Sequence, residues 1–191
     1  MEKENDLVQK IKDSSLKDNI PILRDNTAQT IINIIKDKRY HTYLEIGTAY
    51  GYSAALVRKE SGIKEVVSIE KNESNFLKAK RFLDNEDVIL VNMDAFLYTP
   101  SKTYDFILID GPKSHQELLV SKYLAFLNKD GTMFIDNIFL KKFNEKQNLT
   151  KNQKNLVDRV NAFRKWLEQN KDFDCKIYDI DDGYAIITKK K

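Results

Sequence analysis

Residues 43–55 read YLEIGTAYGYSAA. An apolar run ends on an acid, Glu45-Ile46, and Gly47 follows. Gly51 comes next, and then a segment patterned like a helix. A strand, a glycine turn and a helix in that order open a βαβ unit. The turn sits where a parallel sheet binds ligands, beyond the carboxyl ends of its strands. Gly47 and Gly51 are expected to leave room for a ligand near the backbone. The helix beginning near Gly51 or Tyr52 offers free N–H groups to an anion. A purely structural turn is the alternative reading. The spacing is G-x-x-x-G, which departs from the G-x-G-x-x-G of dinucleotide binders.

Working outward, the strand candidates are 42–46, 65–69, 87–91, 104–109 and 131–135. Four of these are nearly continuous in apolar residues, as strands covered on both faces should be. Helical patterns lie between them at about 51–60, 72–84 and 112–127. Two more cover 27–37, with Ile31, Ile34 and Ile35 on one face, and 153–170, with Leu156, Val160, Phe163 and Leu167. The alternation predicts an α/β fold with a doubly wound, mostly parallel sheet. At the end, CKIYDI (175–180) and GYAIIT (183–188) flank Asp181-Asp182, which predicts a tight antiparallel hairpin. The polar stretch 141–155 reads as a long loop.

Composition narrows the class. With 191 residues, 41% hydrophobic and 32% charged, the chain fits one globular domain. A net charge of +3 sets up no global basic field for nucleic acid. Cys175 is the one cysteine, so there is neither an internal disulfide nor a paired-thiolate metal site, and a cytoplasmic location is expected. The charged start, MEKENDLVQKIKDSS, lacks the apolar core of a signal peptide. No apolar run approaches the roughly 18 residues a membrane span needs, so no membrane partner is expected.

The strand ends carry the chemistry. Glu70 closes the second strand candidate, where an acid can accept from both hydroxyls of a ribose. It could equally be a helix N-terminal charge. Asp94-Ala95 follows the third strand, where a side chain and a backbone N–H could read an adenine edge. Asp110 ends the fourth strand and Asp136-Asn137 the fifth. Adjacent parallel strands would bring those three oxygen donors to one rim, a set suited to Mg²⁺ or another hard divalent cation. Alternatively, Asp110 caps a helix starting at Pro112 and Asn137 caps a turn.

LEIGTAYGYSA (44–54), VVSIE (66–70), NMDA (92–95), YDFILIDGPK (104–113), GTMFIDN (131–137) and DDGYAI (181–186) together resemble the class I S-adenosylmethionine-dependent O-methyltransferases. The narrower resemblance is to the catechol O-methyltransferase-like family, over residues 20–188. It implies a seven-stranded, Rossmann-like methyltransferase fold. The whole chain, 1–191, would be a single methyltransferase domain, with a helical extension over 1–20 and a catalytic core over 21–191.

The same resemblance implies S-adenosylmethionine as cofactor, with Glu45, Gly47, Ser53, Glu70, Asp94, Ala95 and Asp110 as its binding residues. Ser53 would take the cofactor carboxylate, Glu70 the ribose, and Asp94 and Ala95 the adenine. Asp110, Asp136 and Asn137 would hold the divalent cation. Lys113 would be the catalytic base, although Gly111-Pro112 stand where many relatives have other small residues. His115 reads as a surface or substrate-contact residue, and PILRDN (21–26) as a segment covering the site. A homodimer is also implied.

Between Lys141 and Lys171 stand nine Lys/Arg against three acids, beginning just after the metal pair. The excess suits phosphate contacts from RNA; the other reading is a solvated helix face. The segment 151–186 is similar to the tail of bacterial enzymes that methylate 5-hydroxyuridine in the tRNA anticodon, which makes tRNA the expected acceptor. A small catechol-like or hydroxycinnamoyl acceptor is the alternative. A nicotinamide-dependent dehydrogenase would use Glu70 but leave Asp110, Asp136 and Asn137 idle. A non-catalytic RNA-binding module would leave every strand-end acid idle.

Overall fold

The computed structural model describes residues 2–111, 113, 115–141 and 148–190. Helix α1 (Glu2–Lys17) and α2 (Asp25–Lys38) precede β1 (Thr42–Ile46). Then follow α3 (Tyr52–Glu60), β2 (Glu65–Glu70), α4 (Glu73–Leu83), β3 (Val88–Asn92) and β4 (Tyr104–Ile109). The chain ends with α5 (Gln116–Leu124), β5 (Leu127–Asp136), α6 (Lys151–Gln169), β6 (Phe173–Tyr178) and β7 (Tyr184–Lys189). The seven strands form one sheet in the order β3-β2-β1-β4-β5-β7-β6. Strands β1 to β5 pair in parallel, while β7 is antiparallel to both β5 and β6. This is the Rossmann-like methyltransferase sheet. Its order reverses between β1 and β4, so both strands open a crevice at their carboxyl ends.

Alternation along each strand divides the core into two layers. On one face Tyr43, Phe106, Phe134 and Tyr184 pack under α2 and α3, against Ile31, Ile35, Ala54 and Val57. On the other, Leu44, Ile46, Ile107 and Ile109 pack against Leu119 and Tyr123 of α5 and Phe163 and Leu167 of α6. A rib of stacked rings crosses the sheet from Tyr43 through Phe106, Phe134 and Tyr184 to Tyr178, with centroids 4.6 to 6.3 Å apart. Strand β3 is one edge, β6 being the other, and Ile89 of β3 is 55% exposed, so β3 is not covered on both faces as its apolar run suggested. No helix among the described residues is long and apolar enough to cross a membrane.

Three boundaries differ from the sequence reading. Helix α5 spans Gln116–Leu124, not 112–127, and Pro112 lies outside the described residues. Phe126 N–H turns back to Tyr123 O, and its own carbonyl accepts from Tyr104 N–H. That bond draws the polar residues Asn128, Lys129 and Asp130 into β5, which therefore starts at Leu127 rather than 131.

The last turn is longer than Asp181-Asp182. Tyr178 pairs with Tyr184, so residues 179–183 form the loop. The carbonyls of Asp182 and Gly183 accept from Phe139 and Ile138 N–H, and are thereby taken from the hairpin ladder. Finally, the 141–155 loop is cut short by a capping box, in which Thr150 and Gln153 bond reciprocally and start α6 at Lys151.

Candidate active site

The turn after β1 is shaped by packing. Gly47 has φ +103°, and a Cβ there would run into the carbonyl of Asp110 on the neighbouring strand end. At Gly51, with φ +91°, a Cβ would sit 2.6 Å from the Leu83 side chain of α4. These glycines let β1, β4 and α4 approach one another, where the sequence suggested room for a ligand. Gly47 and Thr48 N–H both donate to Ile69 O on β2. Helix α3 then begins with neither a side-chain cap nor an acid in its first turn, so its N-terminal dipole is left uncompensated.

Beneath this turn lies a buried polar chain. Ser53 Oγ donates to Glu45 Oε1, and Ser68 Oγ donates to Glu45 Oε2 at 2.6 Å. Thr48 Oγ1 lies 2.6 Å from Ser68 Oγ. Glu45 is fully buried with no cation beside it among the described residues, and burial pushes its carboxyl up to about 7 against the pull of the two serine hydroxyls. Glu45, expected among the cofactor-binding residues, therefore lies under the cleft and holds Ser53 in place. Ser53 itself lines a small recess beside Pro21, Thr48 and Tyr52.

A cleft of about 420 Å³ opens at the carboxyl ends of the parallel strands. Gly47, Glu70, Asp94, Ala95, Asp110, Lys113 and Asn137 all line it. At one end Glu70 is clamped by backbone: Ala49 N–H donates to Oε2 at 2.8 Å and Asn72 N–H to Oε1 at 2.7 Å. Asp94 accepts from Lys71 Nζ at 2.7 Å and from Phe96 N–H at 2.9 Å, and these bonds, Lys71 first, hold its carboxyl below the usual range. Met93, Phe96 and Ile69 supply apolar wall. Lys71 was missed in the sequence reading, where a lysine after a strand reads as solvated; its signal was adjacency to Glu70.

At the other end Lys113 Nζ donates to the carbonyl of Asp136 at 3.0 Å and lies 3.8 Å from Asp110 Oδ1. Asn137 Nδ2 donates to Asp136 Oδ2 at 2.7 Å. Burial, then the charge of Asp110, pushes Asp136 up to about 7 despite Lys113; burial also raises Asp110. Two acids with one lysine for counter-charge make a place where a cation would be stabilised. Among the described residues no three His, Cys, Asp or Glu side chains converge on a common point. The set reaches three side chains only with the Asn137 amide, and all of its donors are hard oxygens. Asp110 does not cap α5, whose cap position is His115 at φ +60°. His115 does not line the cleft.

The mouth is assembled from distant segments. Pro21, Leu140 and Leu156 line it. Arg24 donates to Asp182 Oδ2 through Nη2 at 2.7 Å and Nε at 3.1 Å, while Asn26 and Thr27 reach Asp181 at 3.2 Å. The PILRDN segment is thus tied to the hairpin loop. In the basic stretch Lys141 pairs with Asp179, and the Arg164 guanidinium lies 4.7 Å from the Phe139 ring centroid. Lys151, Lys154, Arg159, Lys165 and Lys171 are exposed. Lys142 and Lys146 lie outside the described residues.

No protein-family model matches the chain. A Thermoplasma volcanium protein assigned as a cobalt-precorrin-6B C(15)-methyltransferase (decarboxylating) is 27% identical over 133 residues. That match takes in 67% of this chain and 66% of the relative, just under two thirds of its length. Among solved structures, a Staphylococcus aureus protein assigned as a caffeoyl-CoA O-methyltransferase superposes with a TM-score of 0.88 at 26% identity, over 96% of this chain and 92% of that one. The S-adenosylhomocysteine-bound Podospora anserina methyltransferase PaMTH1 has the same fold, with a TM-score of 0.84 at 19% identity, over 97% and 88% of the two chains. The chain thus has the fold of the class I S-adenosylmethionine-dependent methyltransferases, and its relatives and structural neighbours are enzymes of that kind, O-methyltransferases among them.

Proposed function

We propose that this chain transfers a methyl group from S-adenosylmethionine to a hydroxyl oxygen held beside a divalent cation. The observation that carries the proposal is the single cleft with Glu70 and Asp94 at one end and Asp110, Lys113 and Asn137 at the other. S-adenosylmethionine, when bound, would supply a sulfonium methyl carbon open to attack by an oxygen nucleophile, with S-adenosylhomocysteine as the leaving group. A divalent cation, when bound by Asp110, Asp136 and Asn137, lowers the pKa of a neighbouring hydroxyl.

The chain's own groups do the rest. Glu70 offers its clamped carboxylate to a pair of ribose hydroxyls, and Asp94 and Ala95 face the base. Ser53 and the open N-terminus of α3 serve a carboxylate. Lys113 is the group we propose to take the proton of the acceptor hydroxyl. Pro21, Leu140 and Leu156 exclude water from one side of the acceptor, so that positioning supplies much of the acceleration.

The acceptor we propose is 5-hydroxyuridine of a tRNA anticodon, whose hydroxyl and adjacent carbonyl can both reach one cation. The exposed cations of α6, on the helix whose Leu156 lines the mouth, support it. A small catechol-like or hydroxycinnamoyl acceptor is the second reading, favoured by the apolar mouth and by the name given to the S. aureus structure. A homodimer and a cytoplasmic location complete the proposal, and sedimentation velocity checks the first.

Titration calorimetry with S-adenosylhomocysteine and with NAD, in Mg²⁺, tests the cofactor. Binding of the former alone is expected, and binding of NAD alone would overturn the reading. Labelled methyl transfer to tRNA and to a small catechol, run side by side, separates the acceptors.

A further inference from the structure

The loop after β3 is held almost entirely from one side. Leu97 and Tyr98 N–H donate to Asp94 O, and Phe96 N–H donates to Asp94 Oδ1. From α5, Lys122 Nζ donates to the carbonyls of Ala95 and Phe96, and Tyr123 OH to that of Ala95. The main chain and one carboxylate oxygen are therefore fixed. The other oxygen, Oδ2, is held among the described residues by Lys71 alone, reaching across from the end of β2. Asp94 is largely buried with a side-chain exposure of 24%, whereas Lys71 is 76% exposed, and both line the cleft. The ammonium thus sits at the solvent edge of the cleft, with its stem beside the space that Met93 and Ala95 face.

We infer that Lys71 is a positioning and specificity-determining residue that sets the Asp94 carboxylate against the exocyclic amino group of the cofactor's purine. The inference rests on the cofactor reading proposed above. A carboxylate accepts from a purine amino group and repels a 6-oxo group. Discrimination between the two requires the carboxylate to stay in place. Without Lys71 the Oδ2 oxygen is free to turn to solvent.

The test is calorimetric binding of S-adenosylhomocysteine and of its 6-oxo analogue, S-inosylhomocysteine, to the full chain. Lys71→Met keeps an apolar stem and removes the ammonium; Lys71→Arg keeps a cation. Lys71→Met should lower the preference for the amino form about twofold to fivefold, the worth of one solvent-exposed ion pair. Lys71→Arg should retain most of that preference. In an Asp94→Ala background, Lys71→Met should change nothing further. An unchanged preference in Lys71→Met, or an equal loss in both backgrounds, overturns the inference and leaves the cofactor reading standing. Failure of the unaltered chain to bind S-adenosylhomocysteine overturns both.

Discussion

The two ends of the cleft are built from different materials. At the cofactor end, Glu70 is gripped by the N–H groups of Ala49 and Asn72, and the Asp94 loop by bonds from its own backbone and from α5. At the end proposed for the acceptor, the lining residues Pro21, Leu140 and Leu156 come from segments far apart in sequence, and neighbouring side chains join some of these segments. Arg24 meets Asp182, Asn26 and Thr27 meet Asp181, and Lys141 meets Asp179. Backbone clamps fix a shape that no side-chain substitution at Ala49 or Asn72, proline aside, would by itself remove. Side-chain ties can be exchanged without moving a strand. In the proposed function, this difference puts the choice of acceptor where the structure is held by replaceable contacts.

The largest expected effect lies at the boundary of the two ends. Asp136→Ala removes one of the two buried acids and should reduce methyl transfer by about 100-fold or more if a cation works there. Circular dichroism should show an unchanged fold. Retained activity, or full activity of the unaltered chain in a chelator, breaks the account of that end.

Next in size is Glu70→Ala. Losing two charge-assisted bonds and the ribose acceptor should weaken S-adenosylhomocysteine binding by about 10- to 100-fold. Affinity for a small acceptor should stay within about twofold if the ends are independent.

The strand ends were the most legible part of the cleft for physical reasons. YLEIGTAYGYSAA joins a strand, a turn and a helix that are neighbours in sequence, and Glu70, Asp94, Asp110 and Asp136-Asn137 each close a strand. Parallel pairing then brings the strand ends to one rim without further information. What escaped the reading was set by contacts over long separations. Asp181-Asp182 suggested a tight hairpin, but their side chains are engaged by Arg24, Asn26 and Thr27 and their backbone by residues 138 and 139. Glu45 reads as one more strand-end acid, and only the register Glu45↔Ser68 shows it committed to two serines beneath the turn. A Cβ at Gly47 or Gly51 would meet protein atoms, a constraint the sequence does not show, while Gly47 still lines the cleft.

A smaller effect concerns pH. The Glu45 carboxyl is raised to about 7 by burial, from an ordinary value near 4.5. The folded state therefore holds that proton more tightly than the unfolded chain. Its contribution is fully present in acid and is lost as pH climbs from about 4.5 through about 7. Glu45→Gln mimics the protonated form. In chelator, its melting temperature relative to the unaltered chain should rise between about pH 4.5 and about pH 7 and level off above that. A flat difference would contradict an uncompensated acid under the turn.

The smallest effect sharpens the comparison at the mouth. Arg24→Ala breaks an ion pair whose arginine is largely exposed, so stability should fall by no more than about 1 kcal/mol. Cofactor binding should not change. The Michaelis constant for the acceptor should rise a few-fold, and a change confined to the cofactor would reverse the assignment of the two ends.

The central claim is that one rim joins a methyl donor to a cation-held hydroxyl. Mass spectrometry of tRNA nucleosides, after incubation with the chain, S-adenosylmethionine and Mg²⁺, tests it most directly. The account predicts that 5-hydroxyuridine is consumed, that its O-methylated form appears, and that a chelator stops both. Methylation that proceeds unchanged in the chelator, or methyl transfer to carbon or nitrogen instead of this oxygen, would contradict it.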